Sequence, residues 1–422
     1  MASGWAQTTF HALYDRNYRI LWAGTTLAFL AFMMSSVVQS VVAFDLTGTN
    51  EAVGIVSVGM GLATLLIAPF GGVLADRLSK RLLLLFGQGA IGVTFGVVGV
   101  LIVTDQITIF WLAASTFVMG AVFSFIAPAR QAWIGEILPP HDLANGIALQ
   151  QVAMTGTRIL GPFLCGGLIA LAFVGTGGTY LAMSAMFIIV LATLYQVPTA
   201  ARSPRPEGVS IGGDLLLGVR HLRERPQLLV LAASFIGIVI AGFSYQVILP
   251  GYLEHSLGRD SREISLLFGV GAVAGLTFTV ALAGMSDSRH AFRLMLLGGL
   301  VMALGLAVMA IAPGMLVALA AMLLVGAGSS SFQLLNNSMI MQEADRAYHG
   351  RVMSIVMLAW AFNGLVAFPF GFIADRVGER ETLAIMGALV LSVTAASTIA
   401  HLALGGGSRQ SATGVYEAAG GD

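Results

Sequence analysis

Runs of about 20 apolar residues follow one another almost from end to end of this chain, and that repetition limits its fold more than any other feature. A helix of that length spans the hydrocarbon core of a bilayer. Hydrophobic residues make up 57% of the 422, more than a soluble domain of this size carries, and only 10% are charged. The chain therefore reads as a polytopic membrane protein built of helices.

Apolar spans fall at 20–44, 54–74, 82–103, 108–130, 145–173, 179–197, 227–251, 264–284, 293–312, 315–340, 351–373 and 382–403. Turn-forming residues separate them at Thr47-Gly48-Thr49-Asn50, Thr176-Gly177-Gly178 and Pro313-Gly314. Twelve is an even number, so both termini belong on one side. Placing them in the cytoplasm puts sixteen of the 21 Lys and Arg inside and four outside (Arg259, Arg262, Arg376 and Arg380), with Arg158 left within a span. That asymmetry is the orientation expected of an inner-membrane protein. The polar residues Met1 to Arg19 lack the early apolar core of a cleavable signal peptide, so the first span is expected to persist as a helix.

The longest polar stretch, 198–226, divides the spans six and six. In it, Leu215, Leu216, Leu217, Val219 and Leu222 alternate with Arg220, Arg223 and Arg225, the pattern of an amphipathic helix on the inner membrane face or of a solvated linker helix. Short charged loops follow spans 2 and 8, and longer ones follow spans 4 and 10. Internal repeats of this kind mark secondary carriers, which bind substrate between the repeats. The expected fold is all-α, with twelve transmembrane helices in two six-helix halves related by pseudo-symmetry. The expected layout is a cytoplasmic N-terminus (1–19), a first half (20–197), a cytoplasmic linker (198–226), a second half (227–403) and a flexible cytoplasmic tail (404–422).

Several function classes are disfavoured. Acidic and basic residues balance at 21 each, so no basic patch suggests nucleic acid. The single Cys165 permits no disulfide framework. Seven scattered histidines with no His-x-x-x-His pair, and no acidic metal cluster, argue against a metal site and against an integral-membrane enzyme. No cofactor is expected, and no phosphate-binding P-loop suggests a built-in ATPase. A sensor or assembly partner built on a carrier fold is the remaining rival to a transporter.

Four charged residues crowd into one tight loop after span 2, in Gly72-x-x-x-Asp76-Arg77-x-Ser79-Lys80-Arg81. This loop resembles the signature loop of the major facilitator superfamily, with Ser79 where that family usually has glycine. Span 5 carries Gly156-x-Arg158-x-x-Gly161-Pro162-x-x-Cys165-Gly166-Gly167, similar to the glycine–proline motif of the family's exporters. Three further stretches resemble a bacterial exporter branch that includes enterobactin-type siderophore and macrolide efflux proteins. They are Leu13 to Arg19 with Trp22 and Gly24, Pro128 to Gln131, and His349 to Ser354. The resemblance implies alternating access driven by protons, a small amphipathic cargo, a bacterial inner membrane and a monomer. It also implies that Gly72, Asp76, Arg77, Lys80 and Arg81 hold the inner side closed and let go during the cycle. A second, signature-like tract, Gly371 to Arg380, falls on the outer side after span 11 and reads as a local cap and charge pair. The family's own second copy survives only as Asp287 and Arg289.

Candidate site residues follow from burial costs. Arg158 lies mid-membrane, where an arginine is expensive unless it faces the interior or water. It is either a contact for an anionic or polar substrate or proton network, or structural glue. Arg130, near the end of span 4, either serves that site or snorkels to the interface. Asp45 is the only acid continuous with an apolar run of the first half, and reads as a proton carrier or as an interface anchor. Gly156, Gly161, Pro162, Gly166 and Gly167 make span 5 thin and kinked, as a hinge or seal or simply for packing. Met33, Met34, Ser35, Ser36, Met154, Phe243, Gln333 and Asn363 are the expected wall of a pliable cavity.

Overall fold

The computed structural model describes residues 11–77, 79–198, 211–285, 288, 290–345 and 348–404, with backbone alone for 69–77, 140 and 211–216. Twelve helices in it are long and apolar enough to cross a membrane. In chain order they are α1 (Arg16–Thr47), α2 (Asn50–Arg77), α3 (Lys80–Val103), α4 (Ile109–Ile137), α5 (Pro140–Ala170), α6 (Gly175–Gln196), α7 (Pro226–Ser256), α8 (Ile264–Leu282), α9 (Ala291–Ala310), α10 (Met315–Glu343), α11 (His349–Val377) and α12 (Glu379–Ala403). Each expected apolar span falls on one of them. Among the described residues there is no strand. By the alternation of twelve helices, the starts of α1 and α7 and the ends of α6 and α12 share one side, called here the terminal side; the opposite one is the far side.

Local chemistry sets the helix boundaries. The Asp15 carboxylate accepts the Tyr18 N–H at 2.8 Å and starts α1, while Gly48, at φ 67°, ends it in the left-handed region. Ser79, the departure from the family's glycine, has a purpose of its own: its hydroxyl accepts the Leu82 N–H at 3.3 Å and caps α3. Helix α7 is interrupted at Ser244 and unwinds into a π-turn over Tyr252–Ser256, just after Pro250. Proline at that point withholds one helix hydrogen bond. The Asn363 amide donates to Val239 O at 2.9 Å and to Ser244 Oγ at 3.0 Å, so α11 braces the interruption.

The packing repeats. In the first half α2 packs on α4, α3 on α4 and α6, and α1 on α5 and α6; in the second, α8 packs on α10, α9 on α10 and α12, and α7 on α11 and α12. Adding six to each number of the first set gives the second. The contacts between halves obey the same rule, since α2 packs on α11 and α8 on α5. Two six-helix bundles related by a pseudo-twofold axis meet along these two seams.

The linker helix, Ile211–Glu224, docks on α11 instead of lying free. His221 and Leu222 are buried, Gly218 sits against Ile355 and Arg351, and the His221 ring stacks on Tyr348 at 4.2 Å. Arg225 closes the linker with two 2.7 Å bonds to the Asp345 carboxylate.

Candidate functional site

On the far side the two halves are clasped. Asn50 and Glu51 open α2, and their backbone N–H groups would be orphaned there. Asp375, near the end of α11, accepts both, from Asn50 N at 2.8 Å and Glu51 N at 2.7 Å, and also accepts the Asn50 amide at 2.9 Å. A carboxylate at a helix N-terminus also meets the positive end of the helix dipole. The Asn50 amide reaches Glu379 at 3.1 Å, and Glu379 lies 2.8 Å from His255 Nδ1. Arg380 donates to Ser256 O and Ala310 O, both at 3.2 Å. This corrects the sequence reading of Gly371 to Arg380: Asp375 is no local cap, because the helix it caps belongs to the other half. Gly371 allows the approach by lying against the backbone of Asn50.

Asp45 belongs to the same closure. It accepts from Ser261 Oγ at 2.9 Å and lies 4.0 Å from Arg262 Nη2, both residues leading into α8. It also lines an open depression of about 630 Å³ with Glu254, Arg259 and Asp260.

The seam continues inward through small residues. Gly54 faces Ala367 and Phe368, and Gly61 faces Ala361, Gly364 and Leu365, so α2 and α11 touch backbone to backbone. On the other seam Gly166 lies against Ser265, and Phe163 fills the space over Gly269. Of the exporter-motif residues, Gly161 presses on Met33 of α1 and Pro162 is buried beside it, while Gly156 and Gly167 have open space around them.

On the terminal side the polar contacts tie each half to itself. Tyr18 donates to Gly146 O at 2.6 Å and Trp22 Nε1 to Leu149 O at 3.0 Å, which accounts for two side chains of the exporter-like stretches. Lys80 pairs with Glu136, and Arg81 donates to Tyr195 O at 2.5 Å while covering that ring. The expected gate residues Lys80 and Arg81 are thus anchored on α4 and α6 of their own half. Gly72, Asp76 and Arg77 sit on the last turns of α2; their side chains lie outside the described residues, as do Asp287 and Arg289. Among the described residues no extensive packing joins α4 or α5 to α10. The halves are therefore joined on the far side and parted on the terminal side.

Arg158 opens into this gap. On α5, Gly161 marks the face toward α1, and Phe163 and Gly166 mark the face toward α8. At 3.6 residues per turn Arg158 projects between those faces, a turn closer to the terminal side. It is exposed, as is Gln151, with half-buried Thr155 between them in one polar row. Among the described residues Arg158 makes no hydrogen bond or ion pair. Met154, a turn before it, is half-buried; so are Gln333 on α10 and Phe243, whose ring meets Trp360 edge-on at 5.0 Å.

Three expectations are corrected. Met34 and Ser35 are each 1% exposed and packed inside the first half, while their neighbours Met33 and Ser36 are half-buried. A shift of one residue turns a helix face by about 100°, and the packing of α1 on α5 and α6 fixed the phase. Arg130 does not snorkel. It is 5% exposed, its guanidinium covers the Phe29 ring at 4.9 Å, and its Nε finds no partner. With Phe32, Gln88 and Phe123 it lines a cavity of about 10 Å³, room for about one water. Asn363, expected in a cavity wall, has its amide engaged in bracing α7. Of the clasp residues, His255 and Ser261 carry no mark in the sequence, Asn50 reads only as a turn residue, and Glu379 only as part of the signature-like tract.

Two pseudo-symmetric bundles, clasped at one end and open at the other around an uncompensated charge, define a membrane carrier. The chain belongs to the Major Facilitator Superfamily, whose family model matches residues 21–367. It is accordingly a multi-pass membrane protein of that family. Among curated relatives it is similar to the multidrug resistance protein MdtH of Yersinia pestis (strain Pestoides F), 22% identical over 252 residues, covering 58% of this chain and 59% of that protein. Among solved structures it is similar to a bacterial homolog of the human lysosomal transporter Spinster, with TM-score 0.73, 14% identity and coverage of 92% and 97%. It is also similar to the nucleoside transporter NupG, with TM-score 0.71, 11% identity and coverage of 91% and 99%. At such identities these structures speak for the fold alone.

Proposed function

We propose that this protein exports small amphipathic molecules from the cytoplasm across the bacterial inner membrane, as a monomer working by alternating access in exchange for protons. The observation that carries the reading is the closed far side facing a parted terminal side with Arg158 exposed between the halves. The charge asymmetry of the loops makes the terminal side cytoplasmic. The molecule then stands ready to take cargo from inside. The distant likeness to MdtH supports drug-type cargo, and the exporter-like stretches support siderophore-type and macrolide-type cargo alike. Proteoliposomes carrying a pH gradient are expected to accumulate such cargo, and collapse of the gradient should stop accumulation. Movement indifferent to the gradient rules out antiport, and no movement of either cargo type rules out export.

Two residues test the working parts. The likeness to the family's signature loop supports a role for Asp76 in closing the inner side. Asp76→Asn is expected to leave the protein inserted and abundant but to slow export tenfold or more, about the worth of one charge-assisted hydrogen bond. Wild-type export by that variant removes Asp76 from the gate. Asp45 is the candidate proton carrier, because it lies in the far-side depression open to the periplasm. Asp45→Asn is expected to uncouple export from the gradient while sparing cargo binding. Gradient-driven export at the wild-type rate would place the proton elsewhere.

A further inference from the structure

The charges inside the membrane are all of one sign. Every Asp and Glu of the chain lies in a connection or within a turn of a span's end. Two charged side chains lie deeper, Arg130 and Arg158. Arg130 is sealed within the first half against Phe29. Arg158 is the one that faces the gap, exposed and, among the described residues, without hydrogen bond or ion pair.

A guanidinium stays charged at any physiological pH, so when the gap closes over it, it cannot escape the cost of losing water by losing a proton. The cost falls when an anion meets it, and among the described residues no carboxylate stands at that depth to do so. Cargo entering between the halves is the available counter-charge. The planar fork of donors suits paired oxygens, as in a carboxylate, sulfonate or phosphate. A cationic cargo would meet like charge with no acid to receive it. On α5 Arg158 shares a polar row with Gln151 and Thr155, and the pliable, half-buried Met154 lies one turn away.

We propose that the cargo is an anionic amphiphile whose charged oxygens are held by Arg158. This rests on the reading of the gap as the cargo path, and it narrows the amphipathic cargo proposed above to one charge class.

The test compares two dyes on one xanthene scaffold, anionic fluorescein and cationic rhodamine 6G. Binding to the full-length protein in phosphatidylcholine nanodiscs is read by fluorescence anisotropy against empty nanodiscs at neutral pH. Fluorescein is expected to bind at least about tenfold more tightly. Arg158→Ala should lose about 10- to 100-fold of that affinity, the range for hydrogen bonds to a charged group. Arg158→Lys should fall between, since it keeps the charge but not the fork, and it guards against a loss that reflects misfolding. Rhodamine 6G binding should not weaken in either variant. Equal or tighter binding of rhodamine 6G by the wild type overturns the assignment. So does the absence of saturable fluorescein binding, or wild-type fluorescein affinity in both variants. Binding needs neither gradient nor net movement. Fluorescein held through Arg158 but not exported would leave the charge class standing and remove export instead.

Discussion

Gly364→Val is expected to give a folded, inserted protein that no longer holds its far side closed. A Cβ at Gly364 would stand 2.9 Å from Gly61 Cα and 3.0 Å from Gly61 N and Ser57 O, all of them backbone atoms that no rotamer change can move aside. Helices α2 and α11 must separate to admit the side chain. Overpacking of this kind costs about 1–3 kcal/mol. The cost falls on the state in which the seam is tight, so the far-side-closed population should drop by roughly 5- to 150-fold. Spin labels at positions 47 and 381, in a Cys165→Ser background, would read it as a longer distance across the far side. Gly364→Ala should lie between. A distance distribution like that of the parent, together with undiminished transport, would show that this seam does not set the closed state.

The second large effect is expected at Asp375. It accepts three hydrogen bonds from the start of α2, two from backbone N–H groups that nothing else in the helix can satisfy. Asp375→Ala removes the cap and its favourable charge at the helix N-terminus, together worth about 1–2 kcal/mol. The side chain is exposed on the far surface, so solvent screening holds the effect at the lower end of that range. We expect the closed far side to lose about five- to tenfold in population, and Asp375→Asn, which keeps one acceptor, to lose less. Thiol labelling of a cysteine at position 36, half-buried on α1 below the closure, would report the opening from outside. If labelling from the far side is no faster in Asp375→Ala than in the parent, the clasp does not govern access. Because the clasp and the glycine seam join the same helix pair, the two substitutions should not add.

The likeness between the two loop tracts shows how far sequence reading reaches. The residues Gly371, Asp375, Arg376 and Arg380 were visible as a copy of the signature loop. Their position after the eleventh span put them on the side opposite the first copy. What they hold was not visible, because Asn50 lies 325 residues from Asp375. Asn50 itself read only as a turn residue. Arg130 failed for another reason. Distance along the chain to the nearest interface suggested snorkelling, yet α4 runs on to Ile137 and aromatic rings of α1 and α4 enclose the guanidinium. Asn363 was rightly noticed as a polar residue in an apolar span. Its partners, Val239 O and Ser244 Oγ, lie at the interruption of α7.

By itself the sequence determined the twelve spans, the break between the sixth and seventh, and the family. These are one-dimensional properties: a bilayer sets the length of an apolar run, and a signature loop is a spacing of residue types. It also showed that Arg158 needs an interior or aqueous environment, because that cost depends on depth alone. Tertiary structure decided which face of each helix turns inward, and so left Met33 and Ser36 at the edge of packing while burying Met34 and Ser35. It also decided which ends of the two bundles touch. Each helix satisfies its own backbone and can rotate or tilt at little local cost. The choice therefore belongs to side-chain fit between helices far apart in the chain, at Gly61 and Gly364 and at Asn50 and Asp375.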